Sequence, residues 1–155
     1  MLRIGHRDPI PLVVTDADEA PAVFSPDGKW IAYSSDESGS SEVYVRDFAP
    51  ERIPAVGSVR IRVSTNGGDK PRWHRDGREL YYTAPDGKLM TVPVSRAPTF
   101  APGVPVALFE IHVPRGSFFF PFDIAQDGHF LVDTLDAPAA DPLTGMTVML
   151  NWMAR

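Results

Sequence analysis

The sequence predicts an all-β protein assembled from a repeated hairpin unit, and three observations carry that prediction. The stretch Phe24-Ser-Pro-Asp-Gly-Lys-Trp-Ile-Ala-Tyr33 returns as Trp73-His-Arg-Asp-Gly-Arg-Glu-Leu-Tyr-Tyr82 and, more loosely, as Ile124-Ala-Gln-Asp-Gly-His-Phe-Leu-Val-Asp133. Successive Asp-Gly pairs are 49 and 51 residues apart, a period that belongs to solenoids and propellers. The composition, 43% hydrophobic with 16 Pro and 12 Gly, is that of short strands joined by many turns. At 155 residues the chain is long enough for one compact domain that buries roughly 68–70% of its unfolded surface.

The elements follow in order from turn chemistry and period-two alternation. Asp27-Gly28, Asp76-Gly77 and Asp127-Gly128 each lie between apolar runs and predict tight hairpins, because Gly takes positive φ without a Cβ clash and Asp bonds its own backbone. Residues 11–15 form a short strand ahead of the first repeat. The first repeat, 20–65, holds strands at 22–24, 30–34, 42–46 and 60–64; Val43 and Val45 alternate there with Tyr44. The second, 69–111, holds strands at 71–74, 79–83, 89–94 and 106–111, with Asp86-Gly87 as its second turn. Pro93 weakens the third of these strands, since proline lacks a ladder donor. The Pro-rich linker 95–103 reads as an extended surface loop. The third repeat, 117–153, holds strands at 118–124, 129–134 and 146–152.

The run from Phe24 through Val45, Ile61-Arg-Val-Ser-Thr-Asn-Gly-Gly68, the run from Pro71 through Val94, and Val148-Met-Leu-Asn-Trp152 resemble the repeat of TolB-like, WD-repeat-like β-propellers. More narrowly, they are similar to the C-terminal propeller of bacterial multidomain proteins, many of which carry a serine/threonine kinase domain upstream. The resemblance implies blades of four antiparallel strands, three blades per chain. It is specific for fold and weak for function, because propellers host binding, scaffolding and catalysis alike.

Three blades do not close a ring that runs to roughly 4–8. The strand at 11–15 resembles a fourth strand without its blade, and it supplies the strand that the third repeat lacks. Two completions follow. The chain is the end of a longer product with further blades upstream, or two copies form a six-bladed homodimer by exchanging the strand at 11–15, the arrangement we favour from the sequence.

Residues that suggest chemistry have plainer readings beside them. His74-Arg-Asp76 and His6-Arg-Asp8 spell the kinase catalytic tripeptide, but position 81 is Tyr and position 13 is Val where that loop needs Asn. A serine hydrolase needs a Gly-x-Ser-x-Gly elbow, and Ser38-Gly-Ser-Ser41 has the composition of a flexible turn. The histidines at 6, 74, 112 and 129 lack local zinc spacing, and His129 follows its Asp-Gly as a solvated turn residue. Asp16, Asp18 and Glu19 lack the Gly and distal Glu of a calcium loop. Phe24, Trp73, Phe118, Phe119, Phe120, Phe122 and Trp152 hold regular places in the repeats and read as blade-to-blade core.

The formal charge of −5 argues against nucleic acid, and no span reaches membrane length. No cysteine means no disulfide and no thiolate metal site, and no cofactor is expected. The N-terminus has no apolar signal core, so the chain as written is cytoplasmic, or extracytoplasmic if it belongs to a longer receptor. The expected function is a non-enzymatic binding or scaffolding module for a protein or small ligand. Propeller geometry places the ligand at the axial channel mouth, with Asp18, Glu19, Asp69, Lys70, Arg72 and Arg115 the nearest polar candidates. The competing classes are a hydrolase using channel residues and an inactive fragment of a kinase-linked propeller.

Overall fold

The computed structural model describes residues 19–51, 56–95, 99–111, 120–133 and 147–149. The strand expected at 11–15 lies outside them, as do Asp18, Arg115, His6, His112, Phe118, Phe119 and Trp152. Among the described residues every regular element is a β-strand, and no helix is long and apolar enough to cross a membrane.

Three antiparallel sheets form in chain order. The first holds β1 (Glu19–Phe24), β2 (Trp30–Ser35), β3 (Glu42–Asp47) and β4 (Ile61–Arg62). The second holds β5 (Asp69–Trp73), β6 (Glu79–Thr83), β7 (Lys88–Ser95), β8 (Ala101–Pro102) and β9 (Val106–Glu110). The third holds β10 (Phe122–Ile124), β11 (Phe130–Val132) and β12 (Thr147–Met149).

The turn at the start of each sheet is built the same way. Asp27 Oδ1 accepts from Lys29 N at 3.2 Å, Asp76 Oδ1 from Arg78 N at 2.8 Å, and Asp127 Oδ1 from His129 N at 3.2 Å. The following glycines, Gly28, Gly77 and Gly128, stand at φ 68, 68 and 85°, the left-handed region that glycine adopts without a Cβ penalty. Asp86 and Gly87 repeat the device at the β6–β7 turn, with Asp86 Oδ1 accepting from Lys88 N at 3.2 Å and Gly87 at φ 84°.

Alternation along the strands divides their side chains between neighbouring sheets. Ala32, Val43, Val45 and Val63 of the first sheet meet Leu80, Tyr82 and Val92 of the second. Tyr81 and Leu89, one residue out of phase, face the other way and meet Phe122, Phe130 and Val132 of the third. Tyr44 likewise points away from Val43 and Val45, into a separate cluster with Ile31 and Tyr33. A strand buried on both faces needs apolar residues at successive positions, which explains why Leu80, Tyr81 and Tyr82 are consecutive and all buried.

Two expectations need correction. The linker 95–103 is not simply a surface loop: Phe100 is only 5% exposed and packs its ring 5.2 Å from Trp30 and 6.1 Å from Trp73, joining the first two sheets. Just after it, β8 pairs with Val94 and Ser95. Pro93 sits where β7 changes partner, β9 lying along Lys88 to Thr91 and β8 along the end, so the missing N–H interrupts no continuous ladder. Phe24 also departs from the core assignment. It is 46% exposed and makes an edge-to-face contact with Phe48 at 4.9 Å instead of packing between sheets.

Strand β4 is shorter than the expected 60–64 because a side chain replaces the ladder. Val63 N donates to Val43 O at 2.8 Å, and Ser64 Oγ then accepts from Val43 N at 2.7 Å. The backbone is thereby released to turn toward the second sheet.

Candidate functional site

The polar residues that converge best sit on and around β5, which among the described residues pairs only with β6 and has no ladder partner on its other edge. The loop that delivers β5 is fixed by Glu42, a residue that sequence reasoning assigned only to the start of a strand. Its buried carboxylate accepts from Ser64 Oγ and, at 3.1 Å, from Gly67 N. Asn66 and Gly67 stand at φ 63 and 97°. A Cβ on Gly67 would lie 2.4 Å from Pro85 Cγ, so the loop passes against the β6–β7 turn where only glycine fits. The sequence signal that finds Glu42 is weak, because its partners are 22 and 25 residues away.

Asp69 and Lys70 open β5. Asp69 Oδ1 accepts from Lys70 N at 2.7 Å, and Lys70 Nζ lies 3.4 Å from Asp69 Oδ2. Lys70 N also donates to Ser34 Oγ of the first sheet at 3.2 Å, while Thr83 Oγ1 donates to Asp69 O at 3.1 Å. Lys70 holds φ 55° and is buried, so its ammonium neutralises Asp69 at the seam between the first two sheets.

Arg72 turns to the opposite seam. The register of β5 is broken between Asp69 and Arg72, and Arg72 then stands across from Tyr81, on the face toward the third sheet. Its guanidinium carbon lies 3.8 Å from the centre of the Phe120 ring. Among the described residues its buried Nε has no hydrogen-bond partner. The structure therefore gathers Asp69, Lys70 and Arg72 on one strand but divides them between two seams. Of Glu19 only the backbone is described, paired with Ser35 at the start of β1; Asp18 and Arg115 fall outside the described residues.

The remaining ionisable groups serve turns and packing. His74 Nδ1 lies 2.8 Å from Asp76 Oδ1, and His129 Nδ1 lies 2.7 Å from Asp127 Oδ2, so each histidine closes its own hairpin. The Arg78 amide, followed by His74, holds the Asp76 carboxyl below its ordinary value, and the His129 amide and ring do the same for Asp127. Burial pushes the Tyr81 hydroxyl up, helped by its 2.5 Å hydrogen bond to Glu79, which moves it away from acid–base use near neutrality. Among the described residues no group of three or more His, Asp or Glu is placed to hold a metal.

Comparison with solved structures settles the fold. The chain matches TolB from Acinetobacter baumannii with a TM-score of 0.52 and 16% identity, over 77% of this chain and 27% of that one. It has a TolB-like β-propeller fold. No family model matches the chain. Among curated proteins, dipeptidyl-peptidase 5 of Trichophyton equinum and that of Trichophyton tonsurans are each 37% identical over 110 residues, as is the probable dipeptidyl-peptidase 5 of Arthroderma benhamiae. The match takes in 66% of this chain and 14% of each relative, so the chain spans a small part of their length.

These relatives overturn the non-enzymatic reading. They carry the name of a peptidase, and the sequence argument had rested on finding no catalytic elbow in this chain. A stretch that corresponds to 14% of a peptidase need not contain the elbow, so its lack here has no weight against enzymatic function.

Proposed function

We propose that these sheets are blades in the propeller of a dipeptidyl-peptidase-type protein, and that they bind and orient a peptide on its way to the hydrolytic centre. The observation that carries the reading is the 37% identity over 110 residues with relatives named as dipeptidyl peptidases. The geometry supports it: among the described residues β5 has an edge without a ladder partner, a neutralised Asp69–Lys70 pair at one seam and, at the other, a guanidinium whose buried Nε has no hydrogen-bond partner. Extended peptides are recognised by such edges, where main-chain bonds give affinity and nearby side chains give selectivity.

In this reading each sheet is one blade, the first bounded by 20–65, the second by 69–111 and the third by 117–153. Further blades of the same polypeptide complete the ring, since about four or more are needed. The six-bladed homodimer suggested by the sequence is the competing closure, and a solution mass of twice the 17.0 kDa chain would favour it.

The test is hydrolysis of dipeptidyl p-nitroanilides by the polypeptide that carries these blades, expressed as its gene encodes it. We expect release of p-nitroaniline from substrates with a free N-terminal amine and little from their N-acetylated counterparts. No release from either would overturn the peptidase reading.

A further inference from the structure

A half-buried arginine normally meets a carboxylate or a set of carbonyl oxygens, because a guanidinium withdrawn from water without an acceptor is unfavourable. Arg72 meets neither among the described residues. Its guanidinium carbon lies 3.8 Å from the centre of the Phe120 ring, and its buried Nε finds no hydrogen-bond partner among the described residues. The carboxylates of β5, of β6 and of the turn between them have partners of their own. Glu79 accepts from Tyr81, Asp69 pairs with Lys70, and Asp76 pairs with His74.

We infer that Arg72 is the anchor for the C-terminal carboxylate of a bound peptide, at the seam between the second and third sheets. This rests on the peptide-binding reading above. The guanidinium stacks its carbon 3.8 Å from the Phe120 ring centre, and its planar fork of N–H donors matches a carboxylate in a way that a lysine ammonium does not. Charge points to one carboxylate and not to a polyanion: the chain carries −5 overall, and Glu79 and Asp76 stand on the strand and turn beside the site. The position also suits an extended ligand, since Arg72 lies on the strand whose edge away from β6 has no ladder partner among the described residues.

The experiment measures binding of the N-acetylated tetrapeptide Ala-Ala-Ala-Ala, which resists dipeptidyl cleavage, as the free acid and as the C-terminal amide to the full polypeptide, with sodium acetate as a competitor. We expect the free acid to bind about tenfold or more tightly than the amide, acetate to weaken the acid selectively, and Arg72→Met to abolish the preference. Arg72→Lys should keep the charge and recover only part of it. Equal affinity for acid and amide in the wild-type protein, or a preference that survives in Arg72→Met, overturns the assignment. Because the wild-type comparison needs no variant, a misfolded substitution does not blunt it. The anilide assay fails separately: a retained acid preference with no anilide hydrolysis supports the carboxylate anchor and removes the peptidase reading.

Discussion

Glu42 holds the loop that leads into β5, and its removal has a calculable consequence. Glu42→Ala leaves Ser64 Oγ and Gly67 N without their acceptor in a buried place and should cost about 2–4 kcal/mol, read from urea unfolding. Gly67→Ala should cost a similar amount, about 2–4 kcal/mol, from the left-handed backbone and the collision with Pro85. The hairpin aspartates set an acid limit. Asp76 and Asp127 have folded-state values below their ordinary 3.8, so their support is complete above that value and is lost as pH falls through the lowered one. The melting temperature should therefore decline on the acid side, and the Asp76→Asn, Asp127→Asn double variant should decline less steeply over the same range. The Asp-Gly turns were legible in the sequence because both halves of each interaction lie within two residues. Glu42 was not, because a carboxylate that bonds a loop more than twenty residues away leaves no local mark.

At the scale of elements, Phe100 shows where alternation stops being informative. The strands were readable because short apolar runs recur between turn residues, and the structure gives β2, β3, β6 and β7 close to the expected positions. A lone phenylalanine among prolines has no period, so nothing in 95–103 indicated that its ring would enter the seam between Trp30 and Trp73. Phe100→Ala should cost about 3–5 kcal/mol, the range for emptying a buried aromatic site. Tryptophan fluorescence should shift to the red in the same variant, because both neighbouring indoles lose their cover. A surface-loop role for Phe100 would leave stability and emission unchanged. Consecutive burial in β6 carries the same lesson in the other direction: two-sided burial suppresses alternation, and the repeat, not the period, located the strand.

For the whole molecule, the TolB-like fold was legible from three spaced copies of one turn, since a repeat that must bury both faces calls for stacked sheets. Function was less legible, for a physical reason: the residues that recur are those that build hairpins and seams, and they are indifferent to what the propeller serves. The two faces of the third sheet differ in exposure. Asp123 and Leu131 are paired across β10 and β11 and both are exposed, Leu131 by 38%, whereas Phe122, Phe130 and Val132 on the other face are buried against the second sheet. The proposal of further blades is tested most directly by an experimental structure of the polypeptide that carries this chain. We predict β1, β5 and β10 side by side as innermost strands around one axis, with Leu131 covered by a following blade. Three sheets closed on themselves, with Leu131 in solvent and no further blade against either end, would contradict it.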